Sequence, residues 1–276
     1  MPQARKQFGQ HWLCSEKALQ KIVAAAELVE GDRVLEIGPG RGALTRPLLE
    51  KAAAVVAVEI DRDLCKLLVE KLGKINHFLL LQGDVLALDL ESALAGFPDF
   101  QQPNKVVANI PYNITGPILE KLLGAIATPN PHPFDAIVLL LQKEVALRLC
   151  ARPGSRNYGA LSVRVQYLAE CEWICDVTAK AFQPPPKVDS AVVRLRPRQF
   201  HLPVTDVRKL ETLVKLGFAT KRKMLRNNLM SVVERDRLNQ LLEQLEINPQ
   251  ARAEDLSVEN WVALSNRLVE GLGIGD

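Results

Sequence analysis

Val34-Leu-Glu-Ile-Gly38-Pro-Gly40-Arg-Gly42-Ala43-Leu44 sets a short strand-forming run directly before three alternating glycines and the start of a helix. Glycine takes positive φ at little steric cost and lets a ligand approach the backbone closely. The next apolar run ends at Glu59, nineteen residues beyond Gly40. A carboxylate there can accept hydrogen bonds from both hydroxyls of a cofactor ribose. Gly38, Gly40 and Ala43 also satisfy the dinucleotide pattern G-x-G-x-x-G/A. An NAD-type site and a purely structural turn therefore both stay open on this motif. Two neighbours add information. Glu36 lies inside the apolar strand, where an acid is costly without a partner. A cofactor with an ammonium group supplies one, and S-adenosylmethionine has such a group where NAD has none. Gly83-Asp84-Val85 follows the third apolar run. Its acid can accept the amino group of a cofactor adenine, or simply form a turn.

Outward from this motif, runs at Val34–Ile37, Val55–Val58, His77–Leu81, Val106–Ala108 and Ala136–Leu141 read as strands. Amphipathic stretches such as Asp61–Leu72 and Thr115–Ala127 separate them. This alternation predicts an α/β fold with a parallel, Rossmann-like sheet covered by helices on both faces. After Leu168 the pattern changes. Trp173–Ala179 and Ser190–Leu195 flank a loop with Pro184, Pro185 and Pro186, which predicts antiparallel closing strands. From Thr205 only helical periodicity remains, at about 205–217, 220–233, 235–245 and 257–270. The expected organisation is a cofactor-binding domain over 1–198 and a small all-α domain over 199–276.

The 276 residues, 47% hydrophobic and 24% charged, suffice for one large domain or one large and one small. The stretch Met1–His11 carries Arg5 and Lys6 without an apolar core, so no secretory leader is expected. No apolar run approaches the length of a membrane span, and a cytoplasmic monomer with no membrane partner is the expectation. Cys14, Cys65, Cys150, Cys171 and Cys175 are odd in number and lack metal-ligand spacing. Disulfides and metals are not expected. Net charge is +3, unevenly spread. Arg194–Arg226 holds ten Lys/Arg against two acids, whereas Asn227–Asp276 holds four against nine. The basic block fits a polyanion-facing surface or a solvated helix face. Lys221, Arg222, Lys223 and Arg226 are its densest part, and on a helix Arg222 and Arg226 would stand one turn apart.

Asn109-Ile-Pro-Tyr112 follows the fourth strand, at the carboxyl edge where open α/β sheets bind ligands. These residue types suit an exocyclic aromatic amine, whose lone pair is delocalised into the ring. The Asn109 oxygen and the Ile110 carbonyl can each accept one amine hydrogen, which drives the nitrogen toward a pyramidal shape. Pro111 stiffens the loop. Tyr112 offers a face on which a base can stack.

The chain resembles the ribosomal RNA adenine dimethyltransferase family over nearly its whole length. The resemblance rests on Phe8-Gly-Gln10-His11-Trp12-Leu13, Glu36-Ile-Gly-Pro-Gly40, Glu59, Gly83-Asp84 and Asn109-Ile-Pro-Tyr-Asn113. It continues in Gln142-Lys-Glu-Val, Pro153-Gly-Ser-Arg-Asn-Tyr-Gly159, Phe182-Gln-Pro-Pro-Pro-Lys-Val-Asp-Ser190 and Lys221-Arg-Lys-Met-Leu-Arg-Asn-Asn-Leu229. It implies a class I methyltransferase sheet, S-adenosylmethionine as cofactor and small-subunit ribosomal RNA, within a pre-assembled subunit, as substrate. A large-subunit methylase and a non-catalytic nucleic-acid-binding relative are the alternatives. Cofactor contacts are implied at His11, Leu13, Gly38, Glu59, Asp84 and Asn109. With their neighbours the candidate cofactor set is Gln10, His11, Leu13, Glu36, Gly38, Gly40, Glu59, Ile60, Asp84, Val85 and Asn109. Asn109, Ile110 and Tyr112 would act on the target amine, and the resemblance implies that Phe182 stacks on the base opposite Tyr112. From the residues alone, Phe182 before a proline run fits a core anchor. The chain departs from the family pattern at Ile110, where Leu is commoner, and at His11-Trp12, where Asn-Phe is commoner.

Overall fold

The computed structural model describes residues 4–5 and 8–270; Lys6 and the end of the helical domain, 271–276, lie outside them. Two compact units share the chain. The first comprises Met1–Leu122, His132–Ala146 and Cys171–Pro197. It begins with β1 (Trp12–Leu13) and α1 (Glu16–Ala25). Then strands and helices alternate: β2 (Arg33–Ile37), α2 (Thr45–Leu49), β3 (Ala54–Glu59), α3 (Arg62–Leu72), β4 (Phe78–Gln82), α4 (Leu90–Leu94), β5 (Lys105–Asn109), α5 (Thr115–Leu123) and β6 (Ala136–Gln142). After α6 (Lys143–Leu149), and after α7 (Ala160–Leu168), which belongs to the second unit, come β7 (Ala169–Val177), β8 (Phe182–Gln183) and β9 (Ser190–Pro197).

Seven strands form one sheet in the order β4-β3-β2-β5-β6-β9-β7. The pairs β4–β3, β3–β2, β2–β5 and β5–β6 are parallel, and β9 runs antiparallel to β6. All six residues of β3 are buried, as are the first six of β6. This is the burial that parallel strands covered on both faces require. Caps fix the helix starts. The side chain of Ser15 accepts from Ala18 N at the head of α1, and that of Asp61 from Asp63 N at the head of α3. The five parallel strands agree with the sequence expectation to within a residue or two at their ends. β7 does not: it starts at Ala169, four residues before the expected Trp173. Its exposure alternates and its Glu170 and Glu172 pair with Arg198 and Arg194. Outward-facing charges disguised the strand.

The second unit comprises Leu123–Pro131, Leu147–Glu170 and Arg198–Asp276. It adds α8 (Val207–Gly217), α9 (Leu225–Asn228), α10 (Arg235–Gln244) and α11 (Val258–Glu270). Ile126, Tyr158 and Val163 are buried in one cluster with Leu210, Leu225 and Trp261. The helical unit therefore reaches back before residue 198, because apolar residues from three separate stretches share its core. Two helices stand as the periodicity predicts and α11 begins within a residue of the expected start. The 220–233 helix does not form. Lys221 and Arg222 lie in a turn, Met224 is extended and bridges Arg252, and Leu225 N donates to Ala251 O at 2.9 Å. Tertiary backbone pairing replaces the expected helical bonds, and α9 has only four residues. No described helix is long and apolar enough to cross a membrane.

Candidate active site

The chain leaves β2 through Gly38 (φ 67°) and Gly40 (φ 58°). A Cβ on Gly40 would lie 2.9 Å from Cδ1 of Trp12. The absence of a side chain there is what admits the indole, which also carries the Arg41 guanidinium 3.6 Å from its ring centroid. At the end of β3, Glu59 is buried. Its Oε2 accepts from Gly40 N at 3.1 Å and its Oε1 from Asp61 N at 2.9 Å. Burial pushes the carboxyl above its ordinary range, and backbone hydrogen bonds from Asp61, Gly40 and Ile60 oppose the shift. A carboxylate offers about four lone-pair sites, so it keeps acceptor capacity for a ribose hydroxyl beside these backbone donors. Asp61 ties the N-terminal segment down: it accepts from Gln10 Nε2 at 3.0 Å and pairs with Arg5 at 3.4 Å. Asp84 is exposed, and its Oδ1 accepts from Leu86 N at 2.9 Å. It therefore forms the turn and still presents a second oxygen.

The amine end is built from β5. Asn109 Nδ2 donates to the His11 carbonyl at 3.0 Å, which commits the amide nitrogen and leaves Oδ1 as the acceptor. Ile110 is buried, and its N donates to Leu140 O at 3.2 Å. The side chain anchors the loop while the carbonyl heads it, so Ile in place of Leu changes only the buried part. The Tyr112 hydroxyl lies 2.6 Å from Oγ of the buried Ser190. Burial raises its pKa, with the Ser190 hydrogen bond acting the other way. The rings of His11 and Tyr112 stack with centroids 5.9 Å apart and planes 21° from parallel. His11 Nδ1 is 2.8 Å from the Pro184 carbonyl. A carbonyl only accepts, so Nδ1 carries the proton.

One solvent-open cleft collects these groups. Gln10, His11, Gly38, Gly40, Glu59, Ile60, Asp84 and Val85 line it together with Asn109, Ile110 and Tyr112. Three sequence candidates do not. Leu13 and Phe182 are register partners in the antiparallel β1–β8 pair and both are buried in the core of the sheet unit. Phe182 is 4% exposed, packed among apolar neighbours ahead of the proline run. Glu36 is 1% exposed within β2, and its Oε2 has no hydrogen-bond partner. Desolvation pushes its pKa up to about 8, and the nearby Glu59 charge adds to the shift. Sequence reasoning did not single out the apolar walls, Phe8, Ile37, Val58, Leu64 and Ile114. Ile37 and Val58 sit at strand ends beside motif residues, a signal that strand termini could have carried.

The basic candidates belong to the helical unit. Lys221, Arg222 and Lys223 are exposed, and among the described residues no ion pair holds them. Arg226 is half-buried on α9, so it and Arg222 do not share a helix. Arg194, Arg196 and Arg198 are engaged with Glu27, Glu172 and Glu170. Three of the ten basic residues of that stretch are therefore paired internally.

The model of the family described as "Ribosomal RNA adenine dimethylase" matches residues 1–270. A "Ribosomal RNA small subunit methyltransferase A" of Trichormus variabilis is 71% identical, covering 97% of this chain and 99% of its own. Its namesake in Nostoc punctiforme is 67% identical, covering 99% and 98%. Among solved structures, a dimethyladenosine transferase from Plasmodium falciparum superimposes with TM-score 0.76 at 28% identity, over 92% of this chain and 96% of that one. The 23S rRNA methyltransferase ErmE gives 0.74 at 30% identity, over 94% and 99%.

Proposed function

The chain belongs to the ribosomal RNA adenine dimethylase family, and we propose that it methylates the exocyclic amines of two adjacent adenosines in small-subunit ribosomal RNA, using S-adenosylmethionine. The relatives at 67–71% identity carry small-subunit names, whereas the large-subunit enzyme is at 30%. That gap supports the small-subunit substrate.

The cleft fits the cofactor. Glu59 retains acceptor capacity for a ribose, Asp84 presents an oxygen for an adenine amine, and the Gly38–Gly40 turn leaves the backbone open. When bound, S-adenosylmethionine supplies an electrophilic methyl group. The protein contributes position. Asn109 Oδ1 and the Ile110 carbonyl each accept one hydrogen of the target amine, which turns the nitrogen lone pair out of the ring. They also stabilise the positive charge that grows on the nitrogen as it bonds carbon, before a proton passes to water. Orientation of this kind is worth several orders of magnitude without an acid or base. Tyr112, held by Ser190, supports the base. The committed Asn109 amide is the observation that carries this reading.

Phosphate contacts by Lys221, Arg222 and Lys223 position the RNA, and shape supplies specificity. The working form is a monomer that meets RNA already assembled with ribosomal proteins in the cytoplasm. The test is transfer of labelled methyl to small ribosomal subunits lacking the modification, with the label mapped. Two adjacent labelled adenosines in small-subunit RNA are expected. Label confined to large-subunit RNA, or none, would overturn the assignment.

A further inference from the structure

Two buried acids stand two residues apart at the end of β3, Glu59 at 4% exposed and Asp61 at 1%. Burial raises the Glu59 pKa, and the Asp61 charge adds to it. A buried carboxylate is costly unless a cation and hydrogen bonds meet it. For Asp61 the cation comes from the N-terminal segment. Arg5 lies 3.4 Å from Asp61 and also pairs with Asp63 in the first turn of α3. Its backbone N donates to Gln10 Oε1 at 2.8 Å, and Gln10 Nε2 donates to Asp61 at 3.0 Å. Arg5, Gln10 and Asp61 thus close a ring. Asp61 N donates to Glu59 Oε1 at 2.9 Å, so the ring abuts the carboxylate assigned to the cofactor ribose.

We propose that Arg5 is a positioning residue for the cofactor, an ionic latch that holds the Phe8–Gln10 wall of the cleft against the head of α3 and sets how long S-adenosylmethionine stays bound. This rests on the cofactor occupying that cleft, as the function above requires. The wall is fixed unevenly. Trp12 and Leu13 are pinned by pairing with β8, and the His11 carbonyl accepts from Asn109 Nδ2. Phe8 and Gln10 line the cleft ahead of those ties. Phe8 N donates to Arg5 O at 3.1 Å and Gln10 is bonded to Asp61, so both are held through the latch. Each target amine takes two methyl groups in turn, so spent cofactor must leave and fresh cofactor enter between transfers. A latch built on charge suits that demand. It orders the wall, yet it yields readily because a partly exposed ion pair contributes little by itself. Arg serves better than Lys here, since its fork reaches two acids at once.

The test measures dissociation of labelled S-adenosylmethionine from the full chain, chased with excess unlabelled cofactor in the absence of RNA. Arg5→Ala keeps the backbone bond to Gln10 and removes the ion pairs alone. It should speed dissociation roughly 2–5-fold, the scale of one partly exposed pair, with association little changed. Its kcat at saturating cofactor and RNA should equal or exceed that of wild type, because the groups at the amine are untouched. Raising salt from about 0.05 to about 0.5 M should speed release from wild type and leave Arg5→Ala unaffected. Arg5→Lys should fall between the two. Asp63→Asn should speed release from the wild-type chain and add nothing to Arg5→Ala. An unchanged dissociation rate in Arg5→Ala would overturn the proposal. So would equal salt dependence in the two proteins, or a change confined to KM for the ribosomal subunit, which would make Arg5 an RNA contact. A wild-type protein that retains no labelled S-adenosylmethionine would overturn the cofactor reading on which the latch rests.

Discussion

Replacing Glu36 by Gln should convert a pH-dependent penalty on folding into a nearly pH-independent one. Glu36 is 1% exposed, has one carboxylate oxygen without a partner, and has its pKa raised from 4.5 to about 8, chiefly by desolvation. A raised carboxyl pKa means that the folded state binds more protons than the unfolded state. Stability is then unaffected below about pH 4.5, falls as pH rises through the window from 4.5 to 8, and levels off above it. The difference between those two values, at 1.36 kcal/mol per unit, sets an upper limit of about 5 kcal/mol. Gln has the same shape and no charge to bury. Glu36→Gln should match wild type near pH 4.5 and exceed it by up to that amount near pH 8.5. Urea unfolding at half-unit pH steps, read by the Trp12 and Trp173 environment in a background lacking Trp261, measures the difference directly. Parallel pH curves for the two proteins would refute the buried-charge argument. A Glu36→Gln variant that is more stable at high pH yet binds S-adenosylmethionine far more weakly would mean that the carboxylate meets the cofactor ammonium when the site is filled.

Glu59→Ala should weaken S-adenosylmethionine binding by about 1.5–3 kcal/mol, the worth of hydrogen bonds to a charged acceptor, and an unchanged calorimetric Kd in a folded variant would remove the ribose assignment. Asn109→Ala should lower methyl transfer by about 100-fold or more at saturating RNA, the scale of losing one preorganised polar group, while RNA binding persists; near-wild-type turnover would place amine activation elsewhere. Charge reversal at Arg222 and Lys223, both exposed, should flatten the salt dependence of RNA binding by about 0.7 per lost phosphate contact and leave cofactor Kd alone. An unchanged salt slope would make the two residues ordinary surface charges.

The sheet was legible because its strands are nearly uninterrupted apolar runs and its turn is marked by glycines. Most of the cleft was legible for a related reason. Parallel strands deliver their carboxyl ends to one edge, so Gly38, Glu59, Asp84 and Asn109, each at or just after a strand end, had to converge there. What was hidden depends on partners distant in sequence. Helical periodicity over 220–233 gave no sign that Met224 and Leu225 would pair with Arg252 and Ala251. The charge count could not show that Arg194 is buried against Glu27 and Glu172. The pairing of Phe182 with Leu13, 169 residues earlier, left no trace in its local sequence.

Neither structural unit is written as one continuous stretch of sequence, and this bears on how the chain can be made. A product ending at Pro197 would hold every strand of the sheet yet carry Tyr158 and Val163 stripped of Leu210 and Trp261, the neighbours that cover them. Sticky apolar surface, not a tidy half-enzyme, is the expected result of that cut. Growth from the N-terminus passes through the same condition. At about 5–20 residues per second, Trp12 and Leu13 wait roughly ten to thirty seconds before Phe182 and Gln183 exist to pair with them. The front wall of the cleft is thus among the last parts of the sheet unit to be finished, although it is among the first to be translated.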